Sequence, residues 1–516
     1  MPGKEFLVRE KVSFYVKGLW QNEPYNQRHR QMITNDHSNS NSEFSTNFSN
    51  HDFDVAKFIR FLKQIRLKEL LSKINDPRQQ SKITYKNHSL LLWALSVFFR
   101  QGSKNAFNTA LKALRKEQKT SLLNYLGIEG DCLPHQNAVD DYLSKIDPDQ
   151  INSCLMDLFK SCLKNKIFYN HSEVLLPSNS FHLGVDGFWV HHYNKPHAID
   201  ANGNNNCPYC LPRVYKKDTP EEYTNWVHVF VPFVMIFPGG LTLPIHLYPL
   251  KSEQVNTSAN TDELKQECEL VAAHIVLPKI RALLPRIQIT FLGDALYCNQ
   301  PFIKLCDHLS LDYAIVQAEN SLPRLRRECD QLAETKNHKS YSKQTSEQSD
   351  TKTIYSEFQW FNNRYLGSDT YTNVLRFKET HCNPNGNSHT YKNEWLISKK
   401  INDKNCKQFS ERGRLRWHQE DFHNTAKNRG FAAEHDYART NPRVWLNWKL
   451  LMVLAFSIFE LFSHTQMAID AKKTRSWKQF AISLFAELVN VLWNSISNSY
   501  SLQKPKIQFR YIFDSS

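Results

Sequence analysis

Three things are missing from this chain of 516 residues, and each absence removes a class of protein. There is no N-terminal export signal, because MPGKEFLVREKVSFYVKG lacks a continuous apolar core and a small-residue cleavage site; the expectation is a cytoplasmic protein. There is no clean membrane span. The best candidate, VWLNWKLLMVLAFSIFELF at 444–462, is of marginal length and is interrupted by Asn447, Lys449 and Glu460, which points to a buried or interface helix and to no membrane partner. There is no dense cysteine framework either. The eleven cysteines are odd in number and scattered, as reduced thiols of a cytosolic protein would be.

Acidic residues are in deficit, 51 against 65 Lys and Arg, which leaves a formal charge of +14. That surplus favours a polyanionic partner such as nucleic acid or an acidic membrane surface, with a basic surface serving solubility alone as the plain alternative. What the chain does have is apolar material, 41% hydrophobic and 12% aromatic, enough for a large core in a length that accommodates two to four domains.

The first 54 residues read as mostly disordered, since 20–54 are rich in Asn, Ser and His and have little to bury. Residues 55–170 carry apolar positions every three to four residues and predict a helical domain. Its Lys112, Lys116 and Lys119 make it the candidate for duplex binding, although a solvated helix face explains them equally well. Near residue 181 the period changes. FHLGVD, WVHVFVPFVMIF, LTLPIHLYPL and IQITFLGDA read as strands, followed by a helix near 299–309 and a strand at 312–318, with a long helix at 261–284. The fold class is therefore mixed α/β, a sheet covered by helices. Residues 334–350 read as a polar loop; FQWFNNRYL, TNVLRFKET and EWLISKK then predict a β-rich insertion over 333–407, before helical structure returns. The segment 443–516 predicts C-terminal helices, a candidate dimerisation element.

Three acids stand out. Asp186 closes an apolar run, FHLGVDGFWV, where an ionised carboxylate needs a cation or donors. Asp294 sits in the same local setting, at the end of QITFLGD with a helix to follow. Strand ends of a helix-covered sheet open into a crevice where ligands gather, though a cap or turn former accounts for either acid alone. Glu420 lies in RGRLRWHQEDFHNTAKNRGF, where Arg416, Glu420 and Lys427 fall at i, i+4 and i+11 and share one helical face. Arg416 with Glu420 could be a simple surface pair, but Lys427 is too far along for that, and a phosphate backbone lying on the face would explain it. Three converging carboxylates could not all ionise without cations, and two divalent metals about 4 Å apart would neutralise them for phosphodiester cleavage and strand transfer. All-oxygen ligands suit Mg2+, with Mn2+ as an alternative.

With these residues in place, the chain resembles the DDE transposases of bacterial insertion sequences, and looks most like the large group (insertion sequence four type) whose last motif is Y-x2-R-x3-E-x6-K. Arg416, Glu420 and Lys427 match R-x3-E-x6-K, whereas the tyrosine position is Gly413. The resemblance also covers LGVDG around Asp186, QECELVAAHIVLPKIR at 266–281, GDALYCNQPFI at 293–303 and NRGFAAEHDYA after the last acid, roughly residues 180–465. It implies an RNase H-like catalytic core at 178–332 and 408–442 split by the β-rich insertion, acting on double-stranded DNA, transposon ends and target, as a homodimer or larger assembly. Carried over position by position, Asp186, Asp294 and Glu420 would hold the metals and Arg416 and Lys427 would contact DNA phosphates. Some relatives pass through a DNA hairpin; with the tyrosine absent that step is not carried over. On the same fold, a nuclease without strand transfer and a decayed transposase that only binds DNA are the alternatives, the latter weakened because all three acids are present.

CPYC places Cys207 and Cys210 at metal-ligand spacing, with His191, His192, His197, His228 and Cys268 available to complete a structural zinc site. One CxxC is half a site, and a turn with two free thiols is the plain alternative. Members of the resembled group carry a similar C-x-x-C-L after the first acid and a cysteine near the position of Cys268, so the resemblance favours Cys207, Cys210, His228 and Cys268. A Cys298–His308 nucleophile has no supporting local signature, and a serine hydrolase none, since G-x-S-x-G does not occur.

Overall fold

The computed structural model describes residues 52–165, 167–168, 180–254, 261–335, 340–349, 352–383, 386–428, 430–438, 441–465, 468–469 and 477–490. The reading of residues 1–51 as disordered, and that of 491–516 as helical, lie outside the described residues.

The helical periodicity that leads the chain becomes α1 (Asp52–Gln64), α2 (Leu67–Ser72), α3 (Asn87–Phe99), α4 (Lys104–Lys112), α5 (Lys116–Leu126), α6 (Gln136–Lys145) and α7 (Pro148–Lys164). Local chemistry sets several starts. The Ser103 side chain accepts from the Ala106 amide to cap α4, and Asp147 accepts from Asp149 to cap α7, with Pro148 in its first turn. Helix α3 is apolar on all sides and all its residues after Asn87 are buried, so it is a core helix.

The strands are β1 (Phe181–Val185), β2 (Phe188–Tyr193), β3 (Leu211–Tyr215), β4 (Tyr223–Ile236), β5 (Thr242–Pro249), β6 (Ile289–Gly293), β7 (Asp312–Val316), β8 (Ser340–Ser349), β9 (Lys352–Gly367), β10 (Thr370–Cys382) and β11 (Ser388–Ile397). Among the described residues they form one mixed sheet in the order β2-β4-β1-β6-β7-β11-β10-β9-β8, with β3 and β5 also on β4. The long β4 serves two sets of neighbours, β2 and β3 along its first half and β1 and β5 along its second. Strands β1, β6 and β7 run parallel, with Gly184 opposite Leu292 and Leu292 opposite Ala314. Helix α8 (Thr261–Leu283) connects β5 to β6 and α9 (Gln300–His308) connects β6 to β7, as parallel pairing requires.

The strands β8 to β11 form an antiparallel meander, joined to the rest where Trp395 of β11 pairs with Val316 of β7. Here the sequence reading needs correction: much of the supposed polar loop at 334–350 is β8. Its SYSKQTSEQS pairs residue for residue with β9, the side chains of 343–348 are exposed or partly exposed, and a solvated edge strand has no apolar face to announce it. The short β3, LPRVY, also went unread: five residues with proline second carry too little alternation to mark a strand. Helix α10 (Pro323–Glu334) precedes the meander, and α11 (Cys406–Arg414), α12 (His418–Asn428), α13 (Pro442–Ser463) and α14 (Trp477–Asn490) follow it.

From Asp52 onward the described helices and strands belong to one compact unit. Asn152 of α7 exchanges hydrogen bonds with Leu247 of β5, donating to its carbonyl at 2.9 Å and accepting from its amide at 3.0 Å. Helix α13 packs against α3, α7 and β5. It is the one helix among the described residues long and apolar enough to cross a membrane, and 94% of its apolar window is buried inside the protein. Its polar residues have partners in the core: Asn447 donates to the Leu143 and Ile146 carbonyls, and Lys449 donates to those of Ala433 and His435.

Burial pulls the Lys449 ammonium down to about 7, against the opposing pull of Asp436 and Glu434. The unfolded chain then holds a proton that the folded chain lacks between about pH 7 and the ordinary lysine value, so stability rises with pH across that window and is level below it. Denaturant midpoints measured from pH 6.5 to 9.5 should rise, and Lys449→Met should flatten the rise.

Candidate active site at the strand ends

Strands β1 and β6 deliver the first two acids to one place. Asp186 and Asp294 each follow the last residue of their strand, and the parallel register that sets Gly184 opposite Leu292 brings the two positions side by side at the carboxyl edge of the sheet. Both are partly buried. Asp294 also caps a short 3₁₀ turn, Ala295–Tyr297, accepting from the Leu296 amide at 3.0 Å through Oδ1. The structural role anticipated for it is real, and one accepted bond leaves a carboxylate ample capacity for a ligand.

A fourth acid, unread in the sequence, joins them. Glu269 of α8 is 1% exposed, and a Cβ added at Gly187 would stand 2.9 Å from its Oε1. Glycine at 187 is thus what admits this carboxylate beside Asp186. Tyr297 reports the same convergence: it is fully buried, its hydroxyl has no hydrogen-bond partner, and burial together with the charges of Glu269, Asp294 and Asp186 pushes its ionisation far up. A signal for Glu269 existed. Ala272, Ala273 and Val276, at i+3, i+4 and i+7 from it, are fully buried, so the acid lies in phase with the apolar stripe of its helix.

The third acid arrives on α12. Gln419, Phe422 and Ala426 form its buried stripe, with Phe422 edge-on to Phe456 of α13 at 4.9 Å between centroids. The helix comes close to β1 because Gly184 has no side chain: a Cβ there would lie 2.6 Å from the Gln419 Oε1. On the adjacent face, His423 Nδ1 is 3.9 Å from Asp186 Oδ2. Glu420 is three residues earlier on that face, a rise of about 4.5 Å. Burial raises the Glu420 carboxyl above its ordinary value, and the Arg416 charge opposes the rise.

Arg416 itself departs from the single helical face read in the sequence. It lies in a 3₁₀ turn, Leu415–Trp417, between α11 and α12, with its guanidinium 5.2 Å from the ring centre of the exposed Trp417. Just before the turn, Arg414 is anchored to Glu379 of β10 by a 2.9 Å ion pair. Lys427 does share the face with Glu420 and His423, and pairs with Glu434 at 3.1 Å. Gly413, where the resembled motif has tyrosine, faces the indole of Trp395: a Cβ would come within 2.6 Å of the ring. The bulk that the motif places at that position is supplied here from β11.

A second cluster lies along β4. The side chains of His197, Cys207 and His228 bring their ligand atoms within 4.8 Å of one another, and Cys210 Sγ is 3.1 Å from His228 Nε2. The Cys210 thiol, with His197 and His228, holds the Cys207 thiol below its ordinary value despite its burial. Of the zinc ligands favoured from the sequence, the structure brings together Cys207, Cys210 and His228; the side chains of Cys268, His191 and His192 lie outside the described residues. Burial pushes Cys298 up to about 12, the opposite of what a thiolate nucleophile needs.

No family model matches this chain, and no curated protein matches it.

Proposed function

We propose that this protein is a DDE transposase, a metal-dependent enzyme that nicks DNA at transposon ends and joins the freed 3′-hydroxyl to target DNA. The observation that carries the reading is the meeting of Asp186 and Asp294 at adjacent parallel strand ends, with the Glu420 helix laid against them through His423. The strand order β5-β4-β1-β6-β7, antiparallel in its first three members and parallel in its last three, is the order expected of an RNase H-like core and supports that part of the reading.

The donor set fits a hard divalent cation. Asp186, Asp294 and Glu420 offer only oxygen, as Mg2+ or Mn2+ prefers, and the charges of Asp186, Asp294 and the buried Glu269 all bear on Tyr297, an accumulation of negative charge that a cation would offset. When bound, two such ions activate the attacking hydroxyl and stabilise the leaving oxygen. The chain's own residues do the rest. Arg416 and Lys427 flank Glu420 and offer charge to the DNA phosphates, Lys427 exchanging Glu434 for a phosphate; His423 stands 3.9 Å from Asp186; the exposed Trp417 ring offers a stacking face for a base. The +14 charge suits that substrate, and binding should weaken steeply with salt. A homodimer on paired DNA ends, in the cytoplasm and on the nucleoid, completes the proposal.

The test is a plasmid carrying the reading frame with its flanking DNA, incubated with the full chain and Mg2+. Nicks at the element's boundaries and joined products are expected. Hydrolysis without joining of pre-cut ends would favour a nuclease on the same fold, and neither cleavage nor joining would overturn the reading.

The same assay carries a pH expectation. Cleavage needs Glu420 ionised, and Arg416 is the charge that lowers its proton affinity. Arg416→Gln should therefore move the acid limb of the pH–rate profile to higher pH; a limb left in place would show that Arg416 does not act on Glu420.

A further inference from the structure

We propose that His197, Cys207, Cys210 and His228 form a structural zinc site, separate from the carboxylate cluster. The four residues come from three pieces of chain: the loop after β2, the CPYC turn before β3, and β4. All are buried, the two cysteines and His228 to within 1%. A tetrahedral zinc with ordinary Zn–S and Zn–N bonds sets sulfur and nitrogen about 3.6 Å apart. Here Cys207 Sγ is 3.7 Å from His197 Nδ1 and 3.5 Å from His228 Nε2, while Cys210 Sγ is 3.1 Å from His228 Nε2.

The surroundings are those of a metal ligand set. The far nitrogen of His197, Nε2, meets the Ala438 carbonyl and lies 3.6 Å from Asp436 Oδ1. A carbonyl can only accept, so Nε2 carries the proton and Nδ1 presents its lone pair to Cys207, the arrangement in which a carbonyl or carboxylate fixes the tautomer of a metal-bound histidine. The His197 amide donates to Cys210 Sγ at 3.1 Å and the Cys210 amide to the Cys207 carbonyl at 3.3 Å, so the turn aims both sulfurs inward. The indole of Trp445, 4.2 Å from the His228 ring, closes one side, and a closed site of four protein ligands is structural rather than catalytic.

The ion's place gives it a task. Asp436, which also accepts from the Tyr193 hydroxyl at 2.9 Å, lies in the segment between α12 and α13. Zinc would therefore tie the β2–β3 loop to β4 and, through His197 and Asp436, to the segment that follows the Glu420 helix.

The test is elemental analysis of the full chain, purified under reducing conditions without chelator. One zinc per chain is expected, retained in Cys132→Ser, an exposed cysteine remote in sequence, and lost in Cys207→Ser/Cys210→Ser. Since that double variant could simply misfold, the unaltered chain is also stripped of metal and given Co2+ alone. Visible bands of tetrahedral cobalt with thiolate charge transfer are expected, and zinc should bleach them. A chain without stoichiometric zinc that also gives no such spectrum, or a Cys207–Cys210 disulfide in freshly reduced protein, would overturn the proposal. Neither readout depends on DNA cleavage, so failure here and failure of the transposase reading are distinguishable.

Discussion

Replacing Asp186, Asp294 or Glu420 by the corresponding amide is expected to lower DNA cleavage by about 10³-fold or more, while DNA binding stays within a few-fold of the unaltered protein. The amide keeps the shape of each side chain and removes the charge that would hold a divalent ion; ~4 kcal/mol of lost transition-state stabilisation corresponds to that factor. Binding should be spared because, on the proposed reading, contacts to the phosphate backbone would come from cations, Arg416 and Lys427 among them. The folded state should not suffer. Asp186 and Asp294 are partly buried and burial raises the Glu420 carboxyl, so a neutral amide of the same shape costs the fold nothing, and the denaturation midpoint of each variant should be unchanged or slightly higher. A cleavage loss accompanied by a lowered midpoint would instead assign the acids a structural role. Cleavage rates, a filter-binding curve and a melting curve on the same preparations separate the two.

Gly413→Tyr, which would restore the residue the resembled motif carries, is expected to destabilise the protein by about 3 kcal/mol or more and to abolish activity with it. Even a Cβ at 413 would stand 2.6 Å from the Trp395 indole, and Trp395 is itself 2% exposed, fixed between neighbouring elements with nowhere to retreat. Trp395→Ala alone leaves a cavity and should cost ~3–5 kcal/mol, but it vacates the space a tyrosine would fill. The double variant should therefore be more stable than the sum of the two single changes allows, and chemical denaturation of all four proteins measures that coupling. Additive losses would show that the two positions do not share one space.

These particulars explain how much was legible in the sequence. Asp186 and Asp294 could be read because each ends a short apolar strand, a pattern local in the chain, and parallel pairing then brings them together. Glu420 could be read from its spacing to Arg416 and Lys427, although the chain breaks that face with a 3₁₀ turn at 415–417, which spacing alone does not reveal. Glu269 was harder. Its one signal is an acid in phase with Ala272, Ala273 and Val276, and a single acid on an apolar stripe has many bland explanations until the strand ends it faces are known. His197 in the cysteine–histidine cluster illustrates a further limit: spacing alone did not single it out, and it joins Cys207 and His228 only when the loop after β2 folds onto β4. Strand β8 stayed hidden because an edge strand with solvated side chains is held by backbone pairing, which leaves no mark in hydropathy. Changes in periodicity mark where helices give way to strands but say nothing of how the two pack; α7 and α13 lie against β5, and helices and sheet contribute to one hydrophobic cluster.

We propose that Asp186, Asp294 and Glu420 together hold the divalent ions with which this protein would cut DNA. It is tested most directly by titrating the full chain with Mn2+ and counting bound ions by electron paramagnetic resonance, alongside the Asp186→Asn and Glu420→Gln variants. Two spin-coupled ions per unaltered chain are expected, competed by Mg2+, with one or both lost in each variant. Equal Mn2+ binding by the unaltered chain and both variants would contradict the account.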